Sequence, residues 1–482
     1  MDPKILAQFR ALLPAAAVIT RPEELYTYEC DGLTNFRVRP EAVFLPSSTA
    51  EVQSILRACH QHRIPFVARG SGTGLSGGSL PVEGGVVIGM NRMNRILEVD
   101  LENGIMVVEP GVINLNVTAA AAGRNYFYAP DPSSQQICSI GGNVAENAGG
   151  AHCLKYGFTT THVRGLEVVL PDGSLVHLGG KAADAPGYDL CGVFVGSEGT
   201  LGIATKIILR LVKRPERVQI LIAAFHSTHD AGGAVSEIIA AGILPAAIEM
   251  MDRLSIQAAE AAVHPHYPDC HSLLLVELDG PGAEVESLMA EVKDICTRCG
   301  AWELRVAQSV EERAAFWKGR KAAFAAMGRI ASNYIVQDGV IPRTALPAVL
   351  DEIERLSAEV GLRVANVFHA GDGNLHPLVL FDRAIEGQAH AAEELAFRIV
   401  ELCVKAGGSI TGEHGVGEEK KKYMSVMFAE PDLETMQRVR CAFDPLQLSN
   451  PTKVFPRPRL CGEKTGEYVP HPLETSGQAQ FF

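Results

Sequence analysis

Several things are scarce in this chain, and each shortage excludes a class of protein. No run reaches the roughly 18–20 apolar residues that a membrane-spanning helix needs. Basic residues are the minority: 43 Lys and Arg against 56 Asp and Glu give a net charge of −13. A nucleic-acid or anionic-membrane surface is built on the opposite balance. The eleven cysteines are odd in number and scattered, which is not the pattern of a disulfide framework. Cys296-Thr297-Arg298-Cys299 is an isolated CxxC with no second pair to complete a zinc site, so ordinary reduced thiols are expected. Met1-Asp2-Pro3-Lys4, followed by a stretch broken at Arg10 and Pro14, lacks the form of a signal peptide. A soluble, cytoplasmic chain is expected, with any attachment to a membrane made through a partner.

The 482 residues exceed what one core organises, so two or three domains are expected. Glycine is in excess: 47 residues, about one in ten against a usual ~7%. Residues 41–216 alternate short strands with glycine-rich loops. Strands are expected at Val43–Leu45, Phe66–Ala68, Gly85–Ile88, Ile96–Val99, Ile105–Val108, Leu166–Leu170 and Leu175–Leu178. Ser48-Thr49-Ala50-Glu51 fits a capping box, and Val52, Ile55, Leu56 and Cys59 follow at helical spacing. Composition shifts at Lys213-Arg214-Pro215-Glu216. Beyond it come longer amphipathic helices, one over 385–406, alternating with strands such as Leu273–Val276. The expected division is an N-terminal segment 1–40, a cofactor domain 41–216, a substrate domain 217–456 and a poorly ordered tail 457–482. The fold class is α+β, with a mixed or antiparallel sheet in the second domain.

Gly72 to Gly77 matches G-x-G-x-x-G, which invites a nicotinamide-dinucleotide reading. That reading requires a helix to open at the glycines. Pro81 and the pair Gly84-Gly85 cannot make one. The loop Arg69-Gly70-Ser71-Gly72-Thr73-Gly74 still suits phosphate, because glycines let successive amides converge on an anion. Two more loops follow, Ser139 to Gly150 and Gly196-Ser197-Glu198-Gly199-Thr200-Leu201-Gly202. Any one could be an ordinary turn. Three favour one long ligand crossing several loops.

In order, the motifs are Pro46-Ser47-Ser48-Thr49, Arg69–Thr73, Asp131-Pro132-Ser133-Ser134, Ile140–Gly150 and Gly196–Gly199. They resemble the FAD-binding domain of the vanillyl-alcohol oxidase and p-cresol methylhydroxylase flavoproteins. The resemblance runs on into the C-terminal FAD-linked oxidase domain, which carries an antiparallel sheet and helices. The stretch Asn147–Gly157 is similar to the glycolate oxidase branch and, more broadly, to the D-2-hydroxyacid dehydrogenases. The resemblance implies FAD on Arg69, Gly70, Ser71, Gly72, Thr73 and Gly74, with Pro130, Asp131, Ser133, Ser134, Gly141, Gly142, Asn143, Asn147, Gly149 and Gly150 toward the ribityl chain and ring. Gly196, Ser197, Glu198, Gly199 and Ile203 are implied on the adenine side. Asn450, in Asn450-Pro451-Thr452-Lys453-Val454, is implied in a segment that returns to the flavin over 445–456, though Thr452 stands where Gly is common. His152 and Cys153 sit beside a flavin loop, and non-covalent FAD is expected.

The segment Val367 to Pro377 carries two histidines about an Asp-Gly turn signal. With Asp372-Gly373 as the turn, His369 faces His376, and Pro377 marks an edge strand. Two such imidazoles can chelate a metal with Glu413 as third ligand. The alternative is a satisfied histidine pair, with Glu413 capping a helix near Glu418. The family resemblance implies the metal reading for His369, His376 and Glu413, with a divalent ion such as zinc, and assigns His414 as base. It places Arg320, in Trp317-Lys318-Gly319-Arg320, as the substrate-carboxylate clamp; the alternative is a solvated basic helix face. Oxidising a 2-hydroxy acid needs these types: a Lewis acid to acidify the hydroxyl, a neutral His to take its proton, and an Arg for the carboxylate. Some relatives acting on larger diacids carry a Lys before the Asp matching Asp338; here the stretch is Ile335-Val336-Gln337, which fits a small monocarboxylate. The expected activity is oxidation of glycolate or a small D-2-hydroxy acid such as D-lactate. Alternatives are an FAD oxidase of another alcohol class, or a non-catalytic FAD-binding subunit. Iron–sulfur and second flavin-type subunits are the expected partners.

Overall fold

The computed structural model describes residues 1–183, 186–457 and 461. Strands β1 (Val18–Ile19), β2 (Ala42–Phe44), β3 (Phe66–Arg69) and β4 (Val86–Gly89) form a sheet in the order β1-β2-β4-β3. β2, β4 and β3 are parallel and almost wholly buried, as strands covered on both faces are. The helix Thr49–His62 makes the crossover. Ser48 Oγ accepts from the Glu51 amide, while Glu51 reaches one residue further than a capping box asks, to the Ser47 amide at 2.6 Å.

Strands β5 (Ile96–Asp100), β6 (Ile105–Val108), β7 (Tyr126–Phe127), β8 (Val163–Val169), β9 (Leu175–Gly179), β10 (Ile203–Arg210) and β11 (Val212–Lys213) follow. Five form an antiparallel sheet, β5-β6-β10-β8-β9, and β7 pairs with β11. Gly173, at φ 83°, closes the turn between β8 and β9. The second glycine loop proves to be partly helical, over Ile140–Glu146. Ser139 caps it through the Gly142 amide, and buried Ile140 and Val144 anchor it, so packing and a cap override the poor propensity of Gly141 and Gly142.

The C-terminal half holds β12 (Arg217–Phe225), β13 (Ala247–Asp252), β14 (Ser272–Gly280), β15 (Glu303–Val306), β16 (Asn333–Val336), β17 (Gly339–Val340), β18 (Val364–His369), β19 (Asn374–Leu375) and β20 (Pro377–Phe381). They make one sheet, β15-β12-β14-β13-β18-β19-β17, with β20 pairing both β18 and β16. Its pairings are antiparallel. Alternation along β13 sends Ile248 and Met250 into one core, under the helices Thr228–Ala240, Gly282–Arg298, Leu346–Val360 and Gln388–Lys405. Met251 enters the other core, under Arg253–Val263 and Val310–Ala326. Glu249 shares the parity of Met251.

Three expectations change. Pro377 opens β20 but does not mark an edge, since β20 has a neighbour on each side. The helix expected from 385 starts at Gln388, after Gly387 at φ 81°. Cys441 and Cys461 form a disulfide, while Cys296 and Cys299 are free. The two bonded cysteines lie twenty residues apart and meet because the chain doubles back after the helix Glu430–Phe443, which spacing alone does not reveal. Among the described residues no helix is long and apolar enough to cross a membrane. The expected disorder of the tail concerns residues that, apart from 457 and 461, lie outside the described ones.

Candidate active site

β3 ends at Arg69 and delivers the first glycine loop to an open cleft between the glycine segments. Of the residues expected from sequence, Arg69, Gly70, Ser71, Gly72, Thr73, Gly74, Ser133, Ser134, Gly141, Gly142, Asn143, Ser197, Glu198, Gly199 and Ile203 line it. Glu413 and His414 reach it from the other half of the chain.

The remaining expected residues stand behind the lining. The Pro130 carbonyl accepts from Asn114 Nδ2, which also bonds Asn143. Asn147 ends the 140–146 helix at φ 52° and takes the Thr160 amide. A side chain at Gly150 would strike Asp131, and one at Gly149 would meet Phe158 and Glu413. Gly196 turns at φ 82° against Asn147. Asn450 donates to the carbonyls of Gly78 and Glu198. The sequence did not single out Ser79, Pro110, Cys138 or Glu146, all of which line the cleft. Among the described residues, Arg69 Nη1, Ser79 Oγ, Ser197 Oγ and Glu146 Oε2 are buried without hydrogen-bond partners. Burial, then repulsion from Glu198 and Asp31, pushes the Glu146 carboxyl well above the usual range.

The histidine hairpin has a different register from the expected one. His369 pairs with Asn374 and Asn366 with Pro377, so the loop is four residues long. The Gly371 amide continues the ladder onto the Ile248 carbonyl, and Asp372 caps the Asn374 amide, which together lengthen the turn. The shift is two residues, so parity survives. His369 and His376 remain on one face as diagonal neighbours, ring centres 5.1 Å apart.

Glu249 lies directly across from His369 on β13 and meets its Nδ1 at 2.7 Å. This turns His369 Nε2 toward Glu413 Oε1 at 3.2 Å, and His376 Nε2 is 3.4 Å from the same oxygen. Ligand atoms of His369, His376 and Glu413 lie within 4.8 Å of one another. Burial lowers the proton affinity of His369, but Glu249 and Glu413 overcome it and raise it well above the imidazole range. Burial would raise Glu413, yet the His369 hydrogen bond and the neighbouring imidazoles hold it at about 2.

Asp338, His376 and His414 meet the same distance test. Asp338, however, is saturated. It accepts from Thr411 Oγ1 at 2.5 Å, from the amides of Gly412, Glu413 and His414 at 2.9–3.2 Å, and from Lys420 Nζ at 3.2 Å. Burial acts to raise it, but His414, Lys420 and His376 hold it well below the carboxylate range. A carboxylate inside such a nest, with a cation already on it, is a loop organiser rather than a metal ligand. His414 stacks on His376 at 5.0 Å. Burial, with His376 and Lys420 nearby, lowers it to about 4, so it is neutral near pH 7.

Arg320 is not on a solvated face. It is 3% exposed, and its Nε donates to Glu249 Oε2 at 2.6 Å. Nη2 is as close to that oxygen, so the Nε/Nη2 edge of the guanidinium is taken up by Glu249. One turn earlier, Trp317 Nε1 donates to Glu277 at 2.7 Å. Glu277 also meets His152 Nε2 at 3.1 Å, and Asp131 holds His152 Nδ1 at 2.9 Å. Asp131 therefore serves His152 rather than the cleft lining. Burial pushes the Cys153 thiol well up, so it keeps its proton.

His152 gives a pH prediction. Burial lowers its proton affinity, but Asp131 and Glu277 raise it well above the ordinary value. Its contribution to stability is full below the unfolded pKa of ~6.5 and is lost as pH rises through the folded value. The melting-temperature gap between the wild type and His152→Gln is therefore expected to shrink as pH rises from about 6 to about 9. A gap independent of pH contradicts the charged triad.

Residues 40–179 match the model "FAD binding domain", and residues 214–454 match "FAD linked oxidases, C-terminal domain". Glycolate oxidase subunit GlcD of Escherichia coli (strain K12) is 49% identical over 468 residues, which is 97% of this chain and 94% of that protein. D-lactate dehydrogenase of Anaerostipes hadrus is 30% identical over 467 residues, 94% of this chain and 98% of that protein. Among solved structures, p-cresol methylhydroxylase with substrate bound aligns with a TM-score of 0.77 at 18% identity, covering 93% of this chain and 95% of that one, a likeness of fold. With both halves matched and full-length relatives at this identity, the chain belongs to the FAD-linked oxidases.

Proposed function

We propose that the chain oxidises glycolate to glyoxylate, or a small D-2-hydroxy acid such as D-lactate to its 2-oxo acid. FAD is the hydride acceptor, bound without a covalent link, and His369, His376 and Glu413 hold a divalent cation, zinc or similar. The observation that carries this is the opening of Glu413 and His414 onto the same cleft as the three glycine segments.

The residues fit both groups. Unpartnered buried atoms on Arg69, Ser79 and Ser197 line the cleft that the glycine segments share. The first glycine loop and the start of the 140–146 helix would hold the pyrophosphate. Bound there, FAD supplies the acceptor for the hydride that leaves C2. At the histidines, His369 Nε2 faces Glu413 while Nδ1 is held by Glu249, so a proton on Nε2 would occupy the place a cation would take. Glu249 fixes the His369 ring as a second carboxylate commonly does for a ligand histidine, and three protein ligands leave a position open. Such a cation supplies the Lewis acid that acidifies the substrate hydroxyl. His414, neutral and beside the cleft, accepts the hydroxyl proton on a ring nitrogen. Arg320, held by Glu249 through its Nε/Nη2 edge, would turn the remaining Nη1 toward the substrate carboxylate.

The domain division at 216–217 belongs to this reading. The return of 445–456 is supported by Leu448 and Asn450, which bond to both sides of Phe66 at the start of β3. Electrons leave toward iron–sulfur and second flavin-type subunits, through which a cytoplasmic chain would sit at the inner membrane. A relative named as a subunit supports this.

The purified chain is expected to show a flavin spectrum that bleaches anaerobically with glycolate or D-lactate and stays coloured with 2-hydroxyglutarate, since the stretch Ile335-Val336-Gln337 before Asp338 carries no cation for a second carboxylate. Metal analysis should find close to one divalent ion per chain, and chelation should abolish bleaching. A colourless protein that takes up no FAD ends the proposal; equal turnover of 2-hydroxyglutarate ends its substrate assignment.

A further inference from the structure

The loop 411–419 carries Glu413 and His414, and its two limbs are held by different halves of the chain. On the ascending limb, the amides of Gly412, Glu413 and His414 bond to Asp338, from the C-terminal half. On the descending limb, the Val416 and Gly417 amides bond to the carboxylate of Glu198 at 2.7 and 2.6 Å. The Ser76 carbonyl, from the first glycine loop, takes the Glu418 and Glu419 amides at 2.9 and 3.1 Å. These two grips come from segments that bend around the cofactor cleft; the Gly415 and Gly417 carbonyls also accept from Thr411 Oγ1 and the Val454 amide. Two residues from His414, the path of the loop is set by the cofactor side.

Glu198 is specialised for this contact. It is buried, and its backbone sits at φ 52°, a left-handed conformation that an ordinary side chain adopts only when its surroundings fix it. The Ala145 carbonyl takes its amide and Asn450 donates to its carbonyl, so the backbone is tied at both ends. The loop shows matching constraints. Gly415 and Gly417 turn at φ 83° and 53°, and a side chain at Gly415 would strike both Glu146 and Glu198.

We propose that Glu198 is the positioning residue for His414, coupling a filled cofactor cleft to the placement of the base. This rests on the role of His414 given above. Glu198 touches no reacting atom; it fixes the limb that follows the base, two residues beyond it. With it gone, the Asp338 side still holds the metal-ligand limb, while the base loses its second anchor. Substrate should then bind much as before and react more slowly, because a shift of about 1 Å at a reacting group costs on the order of a hundredfold.

Hydrogen exchange tests the coupling without substrate. In the FAD-loaded wild type the Val416 and Gly417 amides should be protected. Stripping FAD, or Glu198→Gln, should raise their exchange by at least about tenfold and leave the Gly412–His414 amides unchanged. Exchange that rises equally on both limbs, or on neither, overturns the proposal. In stopped-flow reduction by D-lactate, Glu198→Gln should lower the limiting rate about 10- to 100-fold, with half-saturation within about twofold. A changed half-saturation with an unchanged limiting rate overturns it, as does loss of FAD from the variant, which would make Glu198 a cofactor ligand. If neither glycolate nor D-lactate bleaches the wild type, the proposed activity fails, while the exchange pattern still decides the positioning role.

Discussion

His414→Asn is expected to cut the limiting rate of flavin bleaching by roughly 10²- to 10⁴-fold, about 3–5 kcal/mol of barrier. Asn keeps a similar volume and a polar head, and the fold around the residue is set by its backbone, whose amide bonds Asp338. What it removes is a nitrogen able to take a whole proton. His414 is suited to that task because it is neutral: burial above all, against the pull of Asp338, lowers its proton affinity to about 4. Left so, it would be a weak base. An anionic substrate entering the cleft adds negative charge beside it and raises its affinity toward the working range. The variant should still hold FAD and metal and should still be reduced by dithionite. A variant that bleaches with glycolate or D-lactate at the wild-type rate removes His414 from the reaction.

Local patterns in the sequence found the segments that bend around the cleft. Each glycine segment is contiguous, and each contributes to the cleft lining. The hairpin histidines were legible for a more subtle reason. The Asp-Gly signal gave the wrong register, but the error was even, and an even slip leaves every side chain on its face. The acids that organise the site were not legible. Glu249 sits among apolar residues in the strand Ala247–Asp252, and its partners His369 and Arg320 are 120 and 71 residues away. Asp338 meets the base loop across 74–76 residues, and Glu198 across 218–219. No local spacing encodes such contacts. The only signal was chemical: a lone carboxylate in an apolar strand or a glycine turn must be paired once buried. The same logic moved Asp131 from the cofactor to His152, and it gave Arg320 a second carboxylate that its helix pattern did not suggest.

That second carboxylate supports the other large prediction. Arg320 and Glu249 are 3% and 1% exposed, and burial would raise Glu249 were it not for Arg320 and His369, which hold it low. Removing one partner of such a pair strands a buried charge. Glu249→Ala should therefore destabilise the protein by about 3–5 kcal/mol in denaturant titration. It should also weaken the bound metal by about 10- to 100-fold, because His369 loses the carboxylate that orients its ring. Replacing both charges, as Glu249→Leu with Arg320→Met, should recover most of the stability, since a well-packed apolar pair often equals a buried ion pair. It should recover neither metal affinity nor turnover. That split, stability restored without function, is the result expected if the pair is kept for the site it orients. Turnover that returns together with stability would show instead that Arg320 and Glu249 only hold the helix Val310–Ala326 against the sheet.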